Sequence, residues 1–306
     1  MMKSVIFILC LIESCVINAL PFKTTNKKFD FLKRKTRSID GNIECMHMTS
    51  EPGEFKFTSD GSGSVCGLYM ISPPEQVIEL EFLDFDISCE TGGLLALVDG
   101  WEMNQEFFPS PVDHELSLEE RYKTYCGIHR PSKVYVASQN VALIQHLIPV
   151  AGQGFKVKVK FVNTPQPCNV VSSTDSGIYT LKNYGSRRNC SVSIIYPELV
   201  ELASVDVGVT SKEKVVVADF GITNKCMTSN GADYVEIMGG NSFELTPEER
   251  REVVCGMKSN TGAVDTVVGC QHTVVRLVSS GKFYNTATFS YRPPMEEELA
   301  LTNSVC

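Results

Sequence analysis

Phe155-Lys-Val-Lys-Val-Lys-Phe161 decides the fold. Phe155, Val157, Val159 and Phe161 fall on one side and Lys156, Lys158 and Lys160 on the other, the period of two that marks a half-buried strand. A lysine row of this kind suits an exposed sheet face or a guarded edge strand. Ile78, Leu80 and Phe82 alternate with Glu79 and Glu81, and then the phase slips to Leu83, Phe85 and Ile87. One inserted residue at Phe82-Leu83 explains the slip and predicts a β-bulge there. Further along, Ala287, Phe289 and Tyr291 alternate with Thr and Ser. Turn signals at Ser72-Pro-Pro74, Asp99-Gly100 and Gly239-Gly240 separate the runs. Many short strands at regular spacing predict an all-β protein made of β-sandwiches.

The cysteines show that the pattern is used twice. Cys45, Cys66, Cys89 and Cys126 recur in order as Cys168, Cys190, Cys226 and Cys255, offset by 123, 124, 137 and 129 positions. Capping boxes recur with them: Ser117-Leu-Glu-Glu120 and Thr246-Pro-Glu-Glu249 each begin nine residues before a cysteine, and Pro247 holds the favoured first helical position. Each half is therefore a sandwich with one short helix leading into a bridge. The boundaries fall at 45–164 and 168–292, with Pro165-Gln-Pro167 as linker and 293–306 as a tail in which Met295-Glu-Glu-Glu-Leu299 reads as solvated acid.

Residues 1–19 have a positive start, a short apolar run and a small residue at Ala19, and read as a signal peptide. No later run reaches the ~18 apolar residues of a membrane helix, so the mature chain is expected to be secreted, without membrane insertion. Beyond the signal stand ten cysteines, including Cys270 and Cys306, with no C-x-x-C pair. On a secretory chain that reads as disulfides, each stabilising by roughly 3 kcal/mol for a loop of about 20 residues. Residues 20–44 form a basic leader, either processed near Arg37 or left as a solvated arm. Residues 38–306 carry about −14, which argues against nucleic-acid binding.

Each half resembles a CUB domain, an extracellular β-sandwich. The first half carries Cys66-Gly-Leu-Tyr-Met-Ile-Ser-Pro73, Val77-Ile-Glu-Leu-Glu-Phe82 and Leu95-Ala-Leu-Val-Asp-Gly100. The second carries Cys190-Ser-Val-Ser-Ile-Ile-Tyr-Pro197, Asp233-Tyr-Val-Glu-Ile237 and Thr273-Val-Val-Arg-Leu277. Four cysteines allow three connectivities; the resemblance implies first-to-second and third-to-fourth pairing. Over nearly all of the chain after Cys45, longer strings are similar to the corticotropin-releasing factor binding protein family. They include Asp99-Gly-Trp101, Ser138-Gln-Asn-Val-Ala142, Pro167-Cys-Asn-Val170, Arg188-Asn-Cys190 and Val268-Gly-Cys270.

That resemblance implies five sequential bridges, Cys45–Cys66, Cys89–Cys126, Cys168–Cys190, Cys226–Cys255 and Cys270–Cys306. It also implies a secreted carrier that sequesters peptide hormones of the corticotropin-releasing-factor type (diuretic-hormone-like in an invertebrate) and limits receptor activation. The alternative is an extracellular CUB adaptor or protease accessory with no hormone ligand. In the family a basic residue shortly before the first cysteine and an acidic one just after it are associated with ligand contact. Here Gly41-Asn-Ile-Glu44 and Met46-His47 keep neither charge. Oligomeric state is left open.

Met46, His47 and Trp101 are the candidate peptide contacts, Trp101 being equally well read as a packing residue. Asn189-Cys190-Ser191 is the glycosylation sequon, implied to be used although its middle residue is a bridging cysteine. No cofactor is expected. Calcium needs several carboxylates, and the positions that would supply them are Gly93 in the first half and Asp233 with Ser279-Ser280 in the second. G-x-S-x-G and H-E-x-x-H are both absent, so no catalytic residue is assigned. The five histidines read as surface or turn residues, and Asp113-His114-Glu115 as a loop rather than a metal site.

Overall fold

The computed structural model describes residues 42–208, 233–259 and 265–301. Two β-sandwiches follow one another in the chain. In the first, a five-stranded sheet has the order β1 (Met46–Thr49), β3 (Val65–Ile71), β10 (Val141–Leu147), β5 (Leu94–Asp99) and β8 (Tyr122–Tyr125). Against it lies a four-stranded sheet of β2 (Gly53–Thr58), β11 (Gly154–Asn163), β4 (Gln76–Asp86) and β9 (Tyr135–Val136). Leu68, Met70, Leu97 and Ile144 of one sheet pack on Ile78, Leu80, Val157 and Val159 of the other.

The second sandwich repeats the plan. Its first sheet runs β12 (Val170–Ser172), β14 (Cys190–Ile194), β20 (His272–Val278), β16 (Tyr234–Gly240) and β17 (Arg250–Val254). Its second runs β13 (Gly177–Lys182), β21 (Thr286–Arg292), β15 (Glu198–Val207) and β18 (Gly256–Ser259), with β19 (Asp265–Val268) also on β15. In both halves the first strand lies parallel to its neighbour while the other pairings are antiparallel.

The bulge is where the phase slip puts it: Val157 pairs with Phe82 and Lys156 with Asp84, leaving Leu83 as the extra residue. The second half has the same device in the matching strand. There Leu202 pairs with Phe289 and Ser204 with Thr288, so Ala203 is the extra residue. Both capping boxes form. The Glu120 carboxylate accepts the Ser117 N–H and O–H at 3.0 and 2.8 Å, opening α1 (Leu118–Arg121). Glu249 does the same for Thr246 at 2.7 and 3.0 Å over a 3-10 turn, Pro247–Glu249.

Cys45–Cys66 and Cys168–Cys190 tie the start of each half to its second sheet strand, and Cys89–Cys126 closes the first sandwich. Cys255 and Cys270 are each disulfide-bonded; Cys226, Cys306, the signal and the leader as far as residue 41 lie outside the described residues.

Three readings are sharpened. Of the two offered for the lysine strand the exposed face holds: β11 lies between β2 and β4, and its lysines meet glutamates on both neighbours, Lys156 to Glu54 at 2.7 Å and Lys160 to Glu79 at 3.0 Å. Gly239-Gly240 ends β16 rather than turning, because a side chain at either position would run into Val268 or Glu249. The acidic tail is helical over α2 (Glu296–Leu301), where Glu298 accepts two bonds from Arg292 at 2.6 and 2.9 Å and the Met295 N–H at 2.7 Å. A helix-start carboxylate that satisfies an orphan N–H makes an acidic run a good helix opening.

Candidate functional site

Strand alternation gives the first sheet an inner and an outer face. Cys66, Leu68 and Met70 point inward, so Val65, Gly67, Tyr69 and Ile71 face out. Register then sets three outer rows across the strands. One is Val65, Leu147 and Leu94; the next is Met46, Gly67, Gln145 and Ala96; the third is Met48, Tyr69, Leu143 and Val98. The third row is closed over by the second sandwich: Val98, Leu143, Ile71 and Val141 cluster with Val171, and Ile195 and Phe243 pack against them.

The first row is open, and Met46 opens the end of the second, where Gly67 and Ala96 are buried and Gln145 is half-buried. Met46 is 59% exposed, Val65 61% and Leu94 44%, with Leu147 half-buried beside them. Gly67 and Ala96 leave the floor low, and the Tyr69 ring lies against Gly67 where a side chain would stand. The border is set by a hairpin, β6 (Trp101–Met103) and β7 (Glu106–Phe108). Its Glu102 accepts the Gln145 amide at 3.2 Å through Oε2, and its carbonyl accepts the Tyr69 hydroxyl at 3.0 Å. Buried Arg121 holds the hairpin base, donating to the carbonyls of Asp99, Phe108 and Pro109 at 2.9, 3.0 and 2.8 Å. Gly100, with φ +113°, is required there: a Cβ would strike the Phe108 carbonyl and Arg121.

The second sandwich has no such face. Its outer positions mix polar Ser191, Ser193, Glu236 and Arg276 with apolar Val171, Met238 and Val274, and all are buried. The first half covers them: Asp113 pairs with Arg276 at 2.8 Å, Arg276 spans to Glu236 at 3.0 Å, and Arg250 reaches Glu236 at 2.5 Å. Only the first half offers water an apolar sheet face of this kind among the described residues.

Of the residues singled out in sequence, Met46 lies on that face. His47 is one step out of phase; its ring rests 5.9 Å from Phe55, and burial lowers its pKa despite Glu44 nearby. Trp101 packs instead of contacting solvent. It is 2% exposed, its Nε1 donates to the Met70 carbonyl at 3.1 Å, and it sits in the cluster that joins the halves. Asn189 is half-buried, with Nδ2 donating to the Val112 carbonyl of the first half at 3.2 Å. Asp233 is an internal acceptor for the Ser280 N–H and the Asn285 amide, both at 2.7 Å.

The histidines are corrected as well: His114, His146 and His272 are buried. His146 has neither ring nitrogen bonded and packs on Phe57, and burial pushes its pKa down to about 4. His114 stands near Ser138 and Asp99, the residue types of a hydrolase triad, but the wiring is wrong. A triad places serine and carboxylate on opposite ring nitrogens. Here Nε2 faces both Ser138 Oγ at 3.1 Å and Asp99 at 3.6 Å, while Nδ1 accepts the Leu116 N–H at 2.9 Å. That imidazole orients a loop; it has no free nitrogen with which to activate Ser138. Asp113 and His114 point to different partners, Arg276 and Asp99, and Glu115 is exposed, so the three do not converge.

Two stapled sandwiches, one with an apolar strip open on its outer sheet face, have the form of a binding protein. The family model described as corticotropin-releasing factor binding protein N-terminal domain matches residues 37–163, and the C-terminal domain model matches 170–300. The human corticotropin-releasing factor-binding protein is 35% identical over 265 residues, 86% of this chain and 80% of that protein. The Xenopus laevis protein of the same name is 34% identical over 250 residues, 82% of this chain and 76% of that one. Among solved structures, the CUB1-EGF-CUB2 domains of rat MASP-1 are 13% identical with a TM-score of 0.28, covering 81% of this chain and 99% of that one. The chain belongs to the corticotropin-releasing factor binding protein family. That is a family of binding proteins, not of enzymes.

Proposed function

We propose that this protein is a secreted carrier for peptide hormones of the corticotropin-releasing-factor type, and that the hormone lies along the outer face of the first sheet. The observation that carries the placement is the open apolar row Val65-Leu147-Leu94 with exposed Met46 beside it. An amphipathic helix is about 10–12 Å across. Four strands at about 4.8 Å spacing make a floor some 14 Å wide, which accepts one helix. Each aliphatic side chain buried from the peptide adds roughly 1.5–3 kcal/mol, so a few anchors approach the about −12 kcal/mol of a nM trap. Glu102 at the border suits a basic side chain of the peptide, and the acidic body speeds its arrival in a salt-dependent way. An invertebrate member would take a diuretic-hormone-like peptide.

The same proposal includes secretion, the bridges Cys226–Cys255 and Cys270–Cys306, and use of the Asn189 sequon. Sequestration is tested on receptor-bearing cells. Purified protein should shift the hormone's dose–response curve to higher concentration in proportion to the protein added, without lowering its maximum. An unshifted curve at micromolar protein would favour the adaptor role.

A further inference from the structure

The hairpin that borders the apolar face carries one carboxylate over its floor. Glu102 is half-buried, and each of its oxygens meets a neutral donor: Oε1 accepts the Gln105 N–H at 2.7 Å and Oε2 the Gln145 amide at 3.2 Å. An ionised carboxylate offers about four lone-pair sites, so about two stay open and the charge stays unmatched. Among the described residues no lysine or arginine pairs with Glu102. Other acids of this half are matched. Glu54, Glu79 and Glu81 meet lysines of β11, and Asp113 meets Arg276.

The setting suits a planar cation. Gln145 pairs with Gly67 on one side and Ala96 on the other, so Glu102 stands over the low part of the face. Tyr69 and Tyr122 flank it: burial, and then the Glu102 charge, push both phenols up. The Tyr69 hydroxyl is given to the Glu102 carbonyl at 3.0 Å, which leaves the ring as its contribution to a ligand. A guanidinium matches carboxylate oxygens in pairs and stacks on aromatic faces. The rim is also set before a ligand arrives. Glu106 accepts the Ser242 hydroxyl and the Phe243 N–H at 2.9 and 3.0 Å, and Glu244 accepts the Phe107 N–H at 2.9 Å, so each half clamps the other through a carboxylate.

Spacing turns this into a rule for the ligand. Gln145 and Leu147 are next but one on β10, about 7 Å apart along the strand. A helix laid along the strands covers about 6 Å in four residues. A cation over Glu102 and an aliphatic anchor at Leu147 therefore stand about one turn apart on the same helix face. We infer that Glu102 selects the ligand by charge: the face takes a peptide helix that carries an arginine about three or four positions from an aliphatic anchor. The apolar row alone would accept any amphipathic helix; the unmatched carboxylate penalises those that leave it buried without a cation. The inference rests on the hormone reading and adds to it the feature that tells one helical peptide from another.

The test is titration calorimetry on the full secreted, oxidised chain, as wild type and as Glu102→Gln. The probes are the amidated hormone and copies in which one arginine at a time is replaced by citrulline, its uncharged counterpart. One citrulline, a turn from an aliphatic residue, should weaken wild-type binding about tenfold or more. In Glu102→Gln the same replacement should cost less than about threefold, the non-additivity of groups in contact, while the other citrullines act alike in both proteins. Glutamine keeps the shape and bonds neutral donors as the carboxylate does, so the unfolding midpoint should not move. A Glu102→Gln chain that binds every peptide as wild type does, or loses equally on all of them, overturns the inference and leaves the hormone reading standing. No binding of the unmodified hormone to wild type removes both.

Discussion

Asp113 and Arg276, 163 residues apart in the chain, meet in a buried ion pair that fastens one sandwich to the other. The carboxylate lies 2.9 Å from Nε and 2.8 Å from Nη2, and the free side of the guanidinium is taken by Glu236 at 3.0 Å. Asn140 adds a neutral clamp, with its amide donating to the Val171 carbonyl and accepting the Val171 N–H, each at 2.9 Å. Removing Asp113 takes away the Nε and Nη2 bonds but leaves Arg276 paired with Glu236, so the cost is that of a charged hydrogen bond, about 1.5–3 kcal/mol. Asp113→Ala should therefore lower stability by that amount in urea unfolding. A loss below about 1 kcal/mol, the range of exposed pairs, would mean that the seam is held by its apolar cluster alone.

The apolar face predicts substitutions that spare the fold and damage binding. Val65→Asp and Leu94→Asp place charges at largely exposed positions, so unfolding midpoints should move by less than about 0.5 kcal/mol. Each buries a carboxylate under a bound helix, and affinity should fall by about 2 kcal/mol or more, some thirtyfold. Asp substitutions on the outer lysine strand, such as Lys158→Asp, should leave affinity nearly unchanged. Equal losses on both faces would move the site.

Trp101 is a reporter of folding, not of ligand. Its emission should be that of a buried indole, shift to the red on unfolding, and stay still when peptide binds at the open row. Trp101→Phe removes the bond to Met70 and leaves space in the joining cluster, which should cost about 1–3 kcal/mol in unfolding experiments. A large fluorescence change on peptide titration, with secondary structure constant, would bring the site to the seam.

Glu198 and His146 set a stability optimum. Glu198 is fully buried, neither carboxylate oxygen has a partner, and burial, with Asp175 adding to it, pushes its pKa up to about 8. Its folded pKa is raised, so its contribution is fully present below the unfolded value of about 4.3 and is lost as pH rises toward 8. His146, pushed down to about 4 by burial, acts in the opposite sense: its contribution is present above about 6.5 and is lost as pH falls toward 4. Unfolding midpoints measured from pH 4 to 9 should fall at both ends. Glu198→Gln should flatten the alkaline limb only; a limb that persists in that variant would assign it elsewhere.

Much of the sandwich was readable because burial on one sheet face imprints a period of two. Leu83 could be placed as a bulge because acidic residues on the outer side made the slip visible. Ala203 could not: Leu202-Ala-Ser-Val205 has small neutral residues where charges would mark the phase. The open strip was half legible. Met46 was named, but Val65, Leu94 and Leu147 come from three strands and meet only through register. Asp113-His114-Glu115 drew notice as a possible metal cluster, whereas Asp113 serves a partner in the other half that no local pattern announces. His146 was misread as a surface residue because a neutral imidazole fits among Phe57 and Phe155 as well as any aromatic ring.

The most direct test is calorimetric titration of the secreted, oxidised protein with an amidated hormone of the corticotropin-releasing-factor type, run beside a Val65→Asp/Leu94→Asp variant. The account predicts saturable one-to-one binding near nM strength, about −12 kcal/mol, and a loss of at least about a hundredfold in the variant at unchanged stability. Absence of binding at micromolar concentration with the disulfides intact, or equal affinity in both proteins, would contradict it.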